Sequence, residues 1–200
     1  TGMTMRMTME AAMDAVRGQM PEKRWQHTLG VVDSAVQLAE RFGADAGKAR
    51  IAALLHDVAK AWPVEKQRQA VLEEGDPAGL DAIQYEKELW HAHAGAWTAR
   101  REFGVEDPDI LNAIRYHTSG RVGMSQLEKI VCLADYIEPG RDFPGVDRLR
   151  EIAAKAPLEE ALLEAFDGTL RVLLERRQRI YPLTVLARND LLSQFRSGGY

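Results

Sequence analysis

A histidine and an aspartate stand side by side in an apolar stretch of this 200-residue chain. Residues 54–60 read LLHDVAK, so His56 and Asp57 follow two leucines and precede a valine. An imidazole or a carboxylate buried without a partner would cost several kcal/mol. A metal ion bound to both side chains would satisfy them together, and Asp57 has two oxygens with which to bridge two ions. These two residues are therefore candidate metal ligands.

Further metal ligands must come from other segments of the chain. Two more polar residues lie in apolar surroundings and are candidates. His27 and Asp135 are each a polar residue on an apolar helical face, and Asp135 lies within the run KIVCLADYI at residues 129–137. The alternative for Asp135 is a carboxylate bonded to an arginine or to a helix N-terminus. For any histidine taken alone, the alternative is a hydrogen-bonded core or surface position. The other histidines of the chain are His91, His93 and His117.

Helical patterns cover most of the chain and would position these residues. Apolar residues recur at helical spacing, and no convincing alternation typical of strands occurs. The sequence therefore predicts an all-α fold. The predicted helices cover about residues 7–19, 21–42, 45–62, 65–75, 85–103, 108–117, 125–137, 147 onward and 158–179, with a short helix and a frayed end in residues 182–200.

Residues typical of helix ends support these boundaries. Gly43 is a C-terminal stop, Asp45 is an N-cap, and Ser125 with Glu128 has the capping-box spacing. Residues 76–79 read DPAG, which predicts a turn. The helix that begins after Asp45 is predicted to contain the whole LLHDVAK stretch and to end near residues 62–63. Lys60 would then lie on the same helical face as the histidine of that stretch, one turn along.

Composition narrows the class of protein. Hydrophobic residues make up 46% and charged residues 28% of the chain, as in an ordinary globular protein, and the length predicts a single domain over residues 1–200. The net charge of −4 argues against a broad basic surface for nucleic acid. The single cysteine, Cys132, cannot form an internal disulfide. The absence of an apolar segment near roughly 20 residues, or of a signal peptide, predicts a cytoplasmic protein without a membrane anchor.

The candidate residues occur in an order that resembles the HD superfamily of metal-dependent phosphohydrolases: His27, His56 with Asp57, His91, His117 and Asp135. Four blocks resemble, more closely, its YqeK-type branch of symmetrical bis(5'-nucleosyl)-tetraphosphatases. They are RWQHTLGV (24–31), LLHDVAK (54–60), LWHAHAGAWTA (89–99) and NAIRYHTSGRVGMSQLEKIVCLADYIEPGRDFPGV (112–146). The resemblance covers about residues 20–150 and leaves C-terminal helices in residues 151–200. It implies an HD-domain helical bundle that cleaves diadenosine tetraphosphate into two ADP molecules.

The resemblance also implies roles for individual residues. The implied metal ligands are His27, His56, Asp57 and Asp135. His91 and His117 would either hold a second metal or contact the phosphates, and the implied catalytic residues are Asp57, Lys60, His91 and His117. One or two iron ions are favoured by the resemblance, with manganese or zinc as alternatives.

His93 departs from the pattern of the family. It lies two residues after His91 and would point about 200° away from it on a helix. Whether His93 reaches the site is left open.

Substrate contacts are predicted mainly around the phosphates. Lys60 and Arg141 would neutralise phosphate charge, and residues 118–120 offer hydroxyl and backbone N–H donors. Their alternatives are a lysine that complements a helix dipole, a solvated loop arginine and a plain turn. The full set of predicted substrate-binding residues is His27, Lys60, His91, His117, Thr118, Ser119, Gly120, Asp135 and Arg141.

The expected ligand is a dinucleoside polyphosphate or ADP, with no nucleic acid and no membrane, and a homodimer is a further expectation. Two other functions fit the same motifs. One is an HD phosphohydrolase that acts on other nucleotides or on cyclic dinucleotides. The other is a nucleotide-sensing module that binds metal without turnover, although a complete ligand set argues against it.

Overall fold

Helices form the regular structure of the part of the chain that the computed structural model describes, residues 5–197. The eleven α-helices found there are α1 (Met9–Arg17), α2 (Glu22–Phe42), α3 (Ala46–Leu55), α4 (Val64–Glu74), α5 (Pro77–Ala82), α6 (Trp90–Arg101), α7 (Pro108–Arg115), α8 (Gln126–Ile137), α9 (Val146–Lys155), α10 (Leu158–Glu175) and α11 (Pro182–Ser197). A short 3-10 helix, Lys87–Leu89, precedes α6. No strand occurs within residues 5–197, so the predicted all-α class is confirmed. None of these helices combines the length and apolar character needed to cross a bilayer.

Helix α3 lies at the centre of the packing. It contacts α1, α2, α6, α7 and α8, and its residues 51–55 are buried. Helix α8 is similarly enclosed, since residues 127–134 are buried between α2, α7 and α10. The apolar character of both helices on nearly all sides is therefore explained by neighbours on nearly all sides.

Several predicted helix ends are confirmed. Gly43 ends α2 in the left-handed region with φ of 74°, where glycine is favoured. The Asp45 carboxylate accepts the backbone N–H of Lys48 at the start of α3. Ser125 and Glu128 form the predicted capping box of α8.

The predicted helix through LLHDVAK is wrong in its second half. Helix α3 ends at Leu55, and residues 56–61 form successive tight turns. The backbone N–H of Lys60 donates to the carbonyl of Asp57 at 3.0 Å, three residues back, where an α-helix would reach four back. The His56 ring also bonds the Ala53 carbonyl at 2.6 Å, and this contact favours the break. The α-helical spacing that put Lys60 on the face of His56 therefore does not apply.

Other boundaries differ less. The predicted DPAG turn is the start of a helix, because Asp76 caps α5 and Pro77 occupies its first turn. The region 85–103 contains the 3-10 helix before α6, and α10 ends at Glu175, earlier than predicted. The C-terminal helix is longer than predicted, at 16 residues. The predicted frayed end includes residues 198–200, which lie outside the described residues, and the single domain over 1–200 stays a prediction.

Candidate metal centre

Four histidines surround the two oxygens of one buried carboxylate, that of Asp57. Its Oδ1 lies 3.3 Å from Nε2 of His91 and 3.4 Å from Nε2 of His117. Its Oδ2 lies 3.4 Å from Nε2 of His56 and 3.6 Å from Nε2 of His27. Each oxygen of Asp57 therefore faces its own pair of imidazole nitrogens.

Asp135 joins the pair on the Oδ2 side of Asp57. Its Oδ1 lies 2.9 Å from Nε2 of His27 and 3.6 Å from Nε2 of His56. One nitrogen or oxygen from each of these three residues falls within 4.8 Å of the others, and the same is true of His56, Asp57 and His117. Residues from five segments of the chain thus meet at one place.

The orientation of two histidine rings is set by the turns on which they lie. Nδ1 of His56 donates to the Ala53 carbonyl at 2.6 Å, and Nδ1 of His117 donates to the Ile114 carbonyl at 2.7 Å. A carbonyl oxygen only accepts, so Nδ1 carries the proton in both rings. The tight turns after α3 and after α7 therefore aim Nε2 of each ring at Asp57.

A divalent cation fits the polar atoms of the cluster. Within residues 5–197, the buried atoms His27 Nε2, His56 Nε2 and Asp57 Oδ1 have no hydrogen-bond partner. Unpaired buried polar atoms are rare because each costs free energy. A cation bound between them would remove that cost. Imidazole nitrogens combined with carboxylate oxygens are donors that suit iron, manganese and zinc.

The charges of the cluster also favour a cation. Burial disfavours the charged form of His56, but Asp57 and Asp135 outweigh it and raise the pKa of His56 to about 10. Burial likewise opposes ionisation of the two carboxyls, yet their histidine partners hold both pKa values well below the usual range. Burial lowers the pKa of His91, which favours its neutral, metal-binding form. The centre therefore stabilises positive charge between its carboxylates.

Two partly exposed arginines form ion pairs with carboxylates of the cluster. Nη1 of Arg24 lies 3.1 Å from Oδ2 of Asp57, and 31% of the Arg24 side chain is exposed. Nη2 of Arg141 lies 2.9 Å from Oδ1 of Asp135, while its Nε donates to the Asp135 carbonyl. The arginine partner that was the alternative for Asp135 thus exists beside the histidine contacts. Arg24 was missed, although it precedes His27 by one helical turn on the same face.

A second missed residue is Glu138, which lies three residues after Asp135. Its Oε1 is 3.3 Å from Nδ1 of His27. Glu138 extends the face that Asp135 begins, and this spacing points to the site once Asp135 is known to belong to it.

Comparisons with known proteins place the chain in a family. The family model for the HD domain matches residues 24–140, the span from Arg24 past Asp135. The chain belongs to the HD-domain family.

Several relatives of this HD protein carry the same enzyme name. The symmetrical bis(5'-nucleosyl)-tetraphosphatase of Bacillus subtilis is 49% identical over 94% of this chain and 99% of its own length. The enzyme of the same name from Staphylococcus aureus is 36% identical over 90% of this chain and 92% of its own length. A crystal structure from Clostridium acetobutylicum, described as a predicted HD superfamily hydrolase involved in NAD metabolism, has a TM-score of 0.88 and 43% identity. The match covers 94% of this chain and 98% of that one. The resemblance found in the motifs is confirmed.

Two of the predicted phosphate contacts, Ser119 and Gly120, already make hydrogen bonds within the chain. The Ser119 hydroxyl donates to the Gly120 carbonyl, and the Gly120 N–H donates to the Tyr116 carbonyl at 2.9 Å. Gly120 has φ of 66°, and a Cβ there would press against the ring of Phe166. The Ser119 hydroxyl and the Gly120 N–H are therefore already used within the turn after His117, and their contact with phosphate stays a prediction.

The remaining predicted contacts are accessible to different degrees. Lys60 is exposed, and its charge lies close enough to His91 to help lower the pKa of that ring. Thr118 is half-buried beside His117. Contacts of Lys60, Thr118 and Arg141 with phosphate stay predictions.

His93 lies away from the HD centre. Its buried ring packs against Gly79 of α5 and against Tyr116, with ring centroids 6.3 Å apart. Nδ1 of His93 has no hydrogen-bond partner among the residues described. Burial and the nearby Arg115 charge lower the pKa of His93 to about 4. The ring is therefore a neutral core group.

Replacement of His93 by Gln should make folding stability less sensitive to acid. The unfolded ring has a pKa near 6.5 and the folded ring about 4, so His93 stabilises the fold fully above pH 6.5 and progressively less as the pH falls toward 4. When the pH falls from about 7.5 to about 5, the free energy of unfolding should decrease by about 2 kcal/mol more in wild type than in His93→Gln. Urea unfolding of both proteins at the two pH values measures the difference, and equal losses would contradict it.

Proposed function

We propose that this HD protein hydrolyses diadenosine tetraphosphate symmetrically, releasing two ADP molecules. The observation that carries the proposal is the arrangement around Asp57, in which each carboxylate oxygen faces two imidazole nitrogens. Relatives that bear the name symmetrical bis(5'-nucleosyl)-tetraphosphatase match nearly the whole chain, which supports this substrate among those of HD hydrolases.

The proposed metal ligands fall into two groups that share Asp57. His27, His56, Asp57 and Asp135 would hold one ion, and His91 and His117 would hold a second together with Asp57. A metal bound here would supply a water whose pKa is lowered toward about 7 and a Lewis acid for a phosphoryl oxygen. Iron is proposed as the metal, with manganese or zinc as alternatives. The homodimer and the cytoplasmic location stay predictions.

The residues of the chain would handle the charge of the polyphosphate. Arg24 has its guanidinium against the ligand carboxylate of Asp57, at the partly exposed border of the centre. Because a cation on Asp57 would weaken that ion pair, the Arg24 guanidinium becomes available to a phosphate oxygen. Lys60, on the side of His91, adds a second exposed positive charge. Charge in phosphoryl transfer is spread over the equatorial oxygens, so such cations stabilise the transition state.

The bond that breaks is the central phosphoanhydride of the tetraphosphate. Water adds one oxygen to one of the two inner phosphorus atoms, and the bridging oxygen leaves with the other half as ADP. Each half then carries two phosphates. His91 or His117 would touch the reacting phosphates if only one ion is bound, and would act as metal ligands if two are bound.

The deciding experiment incubates metal-loaded protein with diadenosine tetraphosphate and separates the products. Two ADP molecules per substrate are expected, because the cut is central. AMP with ATP would contradict symmetrical cleavage. Nucleotide binding without turnover would instead support the sensing module, and preference for another nucleotide would support a different HD hydrolase.

Replacement of Asp57 by Ala should remove both bound metal and activity, since both proposed ion sites use this carboxylate. Hydrolysis should fall by about 1,000-fold or more, as expected for loss of a metal-activated water. Metal content by elemental analysis and product formation measure the two effects. Asp142→Ala is the control, because Asp142 is an exposed acidic residue of the loop after α8. An active, metal-loaded Asp57→Ala protein would overturn the ligand assignment.

Replacement of Arg24 by Gln should leave the metal bound and lower kcat/KM by about 100-fold, because one positively charged donor to the transition state is lost. Arg24→Lys should recover part of the loss, since it keeps the charge without the planar fork. The exposed Arg68 provides the control Arg68→Gln. Steady-state kinetics with metal analysis distinguishes the alternatives. Loss of metal in Arg24→Gln would show that Arg24 holds Asp57 and does not serve the substrate.

A further inference from the structure

We propose that Glu138 is a positioning residue that fixes the His27 ring so that Nε2 faces the metal. The inference rests on the proposed metal centre, because His27 is one of its ligands. His56 and His117 are oriented by carbonyls of their own turns. His27 lies within the long helix α2, where the nearby carbonyls are used by the helix itself, so its Nδ1 needs a partner from another segment.

The contact with Glu138 determines which nitrogen of His27 carries the proton. Oε1 of Glu138 lies 3.3 Å from Nδ1, and 5% of the Glu138 side chain is exposed. Of the two ring nitrogens, Nδ1 has a hydrogen-bond partner and Nε2 has none, so a neutral His27 carries its proton on Nδ1. Nε2 then points at Asp135, 2.9 Å away, and at Asp57, 3.6 Å away. The carboxylate thus orients the ring so that Nε2 faces the other residues of the centre.

Two glycines make room for the Glu138 carboxylate. Gly30 lies on α2 three residues after His27, and a Cβ there would overlap with Oε2 of Glu138. Gly140 donates its backbone N–H to the same oxygen at 2.9 Å, and a Cβ on Gly140 would lie 2.9 Å from Oε1. The carboxylate is therefore enclosed at the end of α8 with both of its oxygens engaged.

The segment that carries Glu138 is itself held in place by Arg150 of α9. The Arg150 guanidinium donates to the carbonyls of Ile137, Glu138 and Arg141 at 3.1, 2.8 and 2.7 Å. These are carbonyls at and just after the C-terminal end of α8, where intrahelical partners are absent. Arg150 thus links α9 to the backbone of the residue that orients His27.

Metal affinity tests the role of Glu138. Metal-free protein is titrated with Zn²⁺ in a calorimeter. The affinity for Zn²⁺ should be about 10- to 100-fold lower in Glu138→Ala than in wild type. Glu138→Gln keeps one accepting oxygen and should fall between the two. Asp142→Ala, which removes an equal charge from an exposed position nearby, should bind as wild type does. Affinity of Glu138→Ala equal to that of wild type would overturn the proposal.

The tautomer of His27 gives a readout that loss of packing alone would not produce. Nitrogen-15 NMR of the Zn²⁺-loaded protein should show a protonated Nδ1 and a metal-bound Nε2 on His27 in wild type. In Glu138→Ala the Nδ1 proton should exchange faster with solvent, or the ring should lose its fixed tautomer. His56, held by the Ala53 carbonyl, is the internal control and should not change. A His27 signal unchanged in Glu138→Ala would contradict the role of Glu138.

A double-mutant cycle tests the enclosure. Gly30→Ala should displace the Glu138 carboxylate and weaken Zn²⁺ binding in the wild-type background. In the Glu138→Ala background the same change should cost nothing further, because the atom it would overlap is gone. Additive losses would overturn the link between Gly30 and Glu138.

The outcomes for this inference and for the proposed function can be separated. If wild type binds no metal, the proposed centre fails, while the Nδ1 proton of His27 in metal-free protein still shows whether Glu138 orients the ring. If wild type binds metal and Glu138→Ala binds it equally well, the inference fails and the centre stands.

Discussion

Burial of the Asp57 carboxylate is the constraint on which the rest of the structure depends. Only 2% of this side chain is exposed, although it carries a charge. A buried carboxylate is stable only when donors or positive charge surround it. No single helix can present four imidazoles to one point, so α2, α3, α6, α7 and α8 must converge. The enclosed helices α3 and α8 supply the apolar packing that keeps this arrangement fixed.

The sequence predicted much of this arrangement because its signals were local. A lone polar residue in an apolar helical pattern marked His27, His56 and Asp135, and cap residues marked the ends of α2 and α3. The break after Leu55 was not predictable in the same way. The break accompanies the hydrogen bond from Nδ1 of His56 to the Ala53 carbonyl. That bond orients the ring so that Nε2 faces the other residues of the cluster. Tertiary demands thus override helical propensity at the site.

The residues that were missed share a different cause. Arg24 and Glu138 look like solvated charges in the sequence, and their spacing from His27 and Asp135 becomes informative only once those partners are known. Ser119 and Gly120 resemble a phosphate-binding turn by composition, but the same residue types also build plain turns. The backbone bonds that distinguish the two cases are absent from the sequence.

The separation of the cluster residues along the chain affects the order of assembly. His27 and Glu138 are 111 residues apart, and closing a loop of that length costs chain entropy before any contact is made. A chain emerging from the ribosome exposes α2 and α3 well before α8 is made, since synthesis proceeds from the N-terminus. Such a chain holds His27, His56 and Asp57 without Asp135, the fourth residue proposed as a ligand of the same ion. The cluster can therefore be complete only when α8 packs against α2.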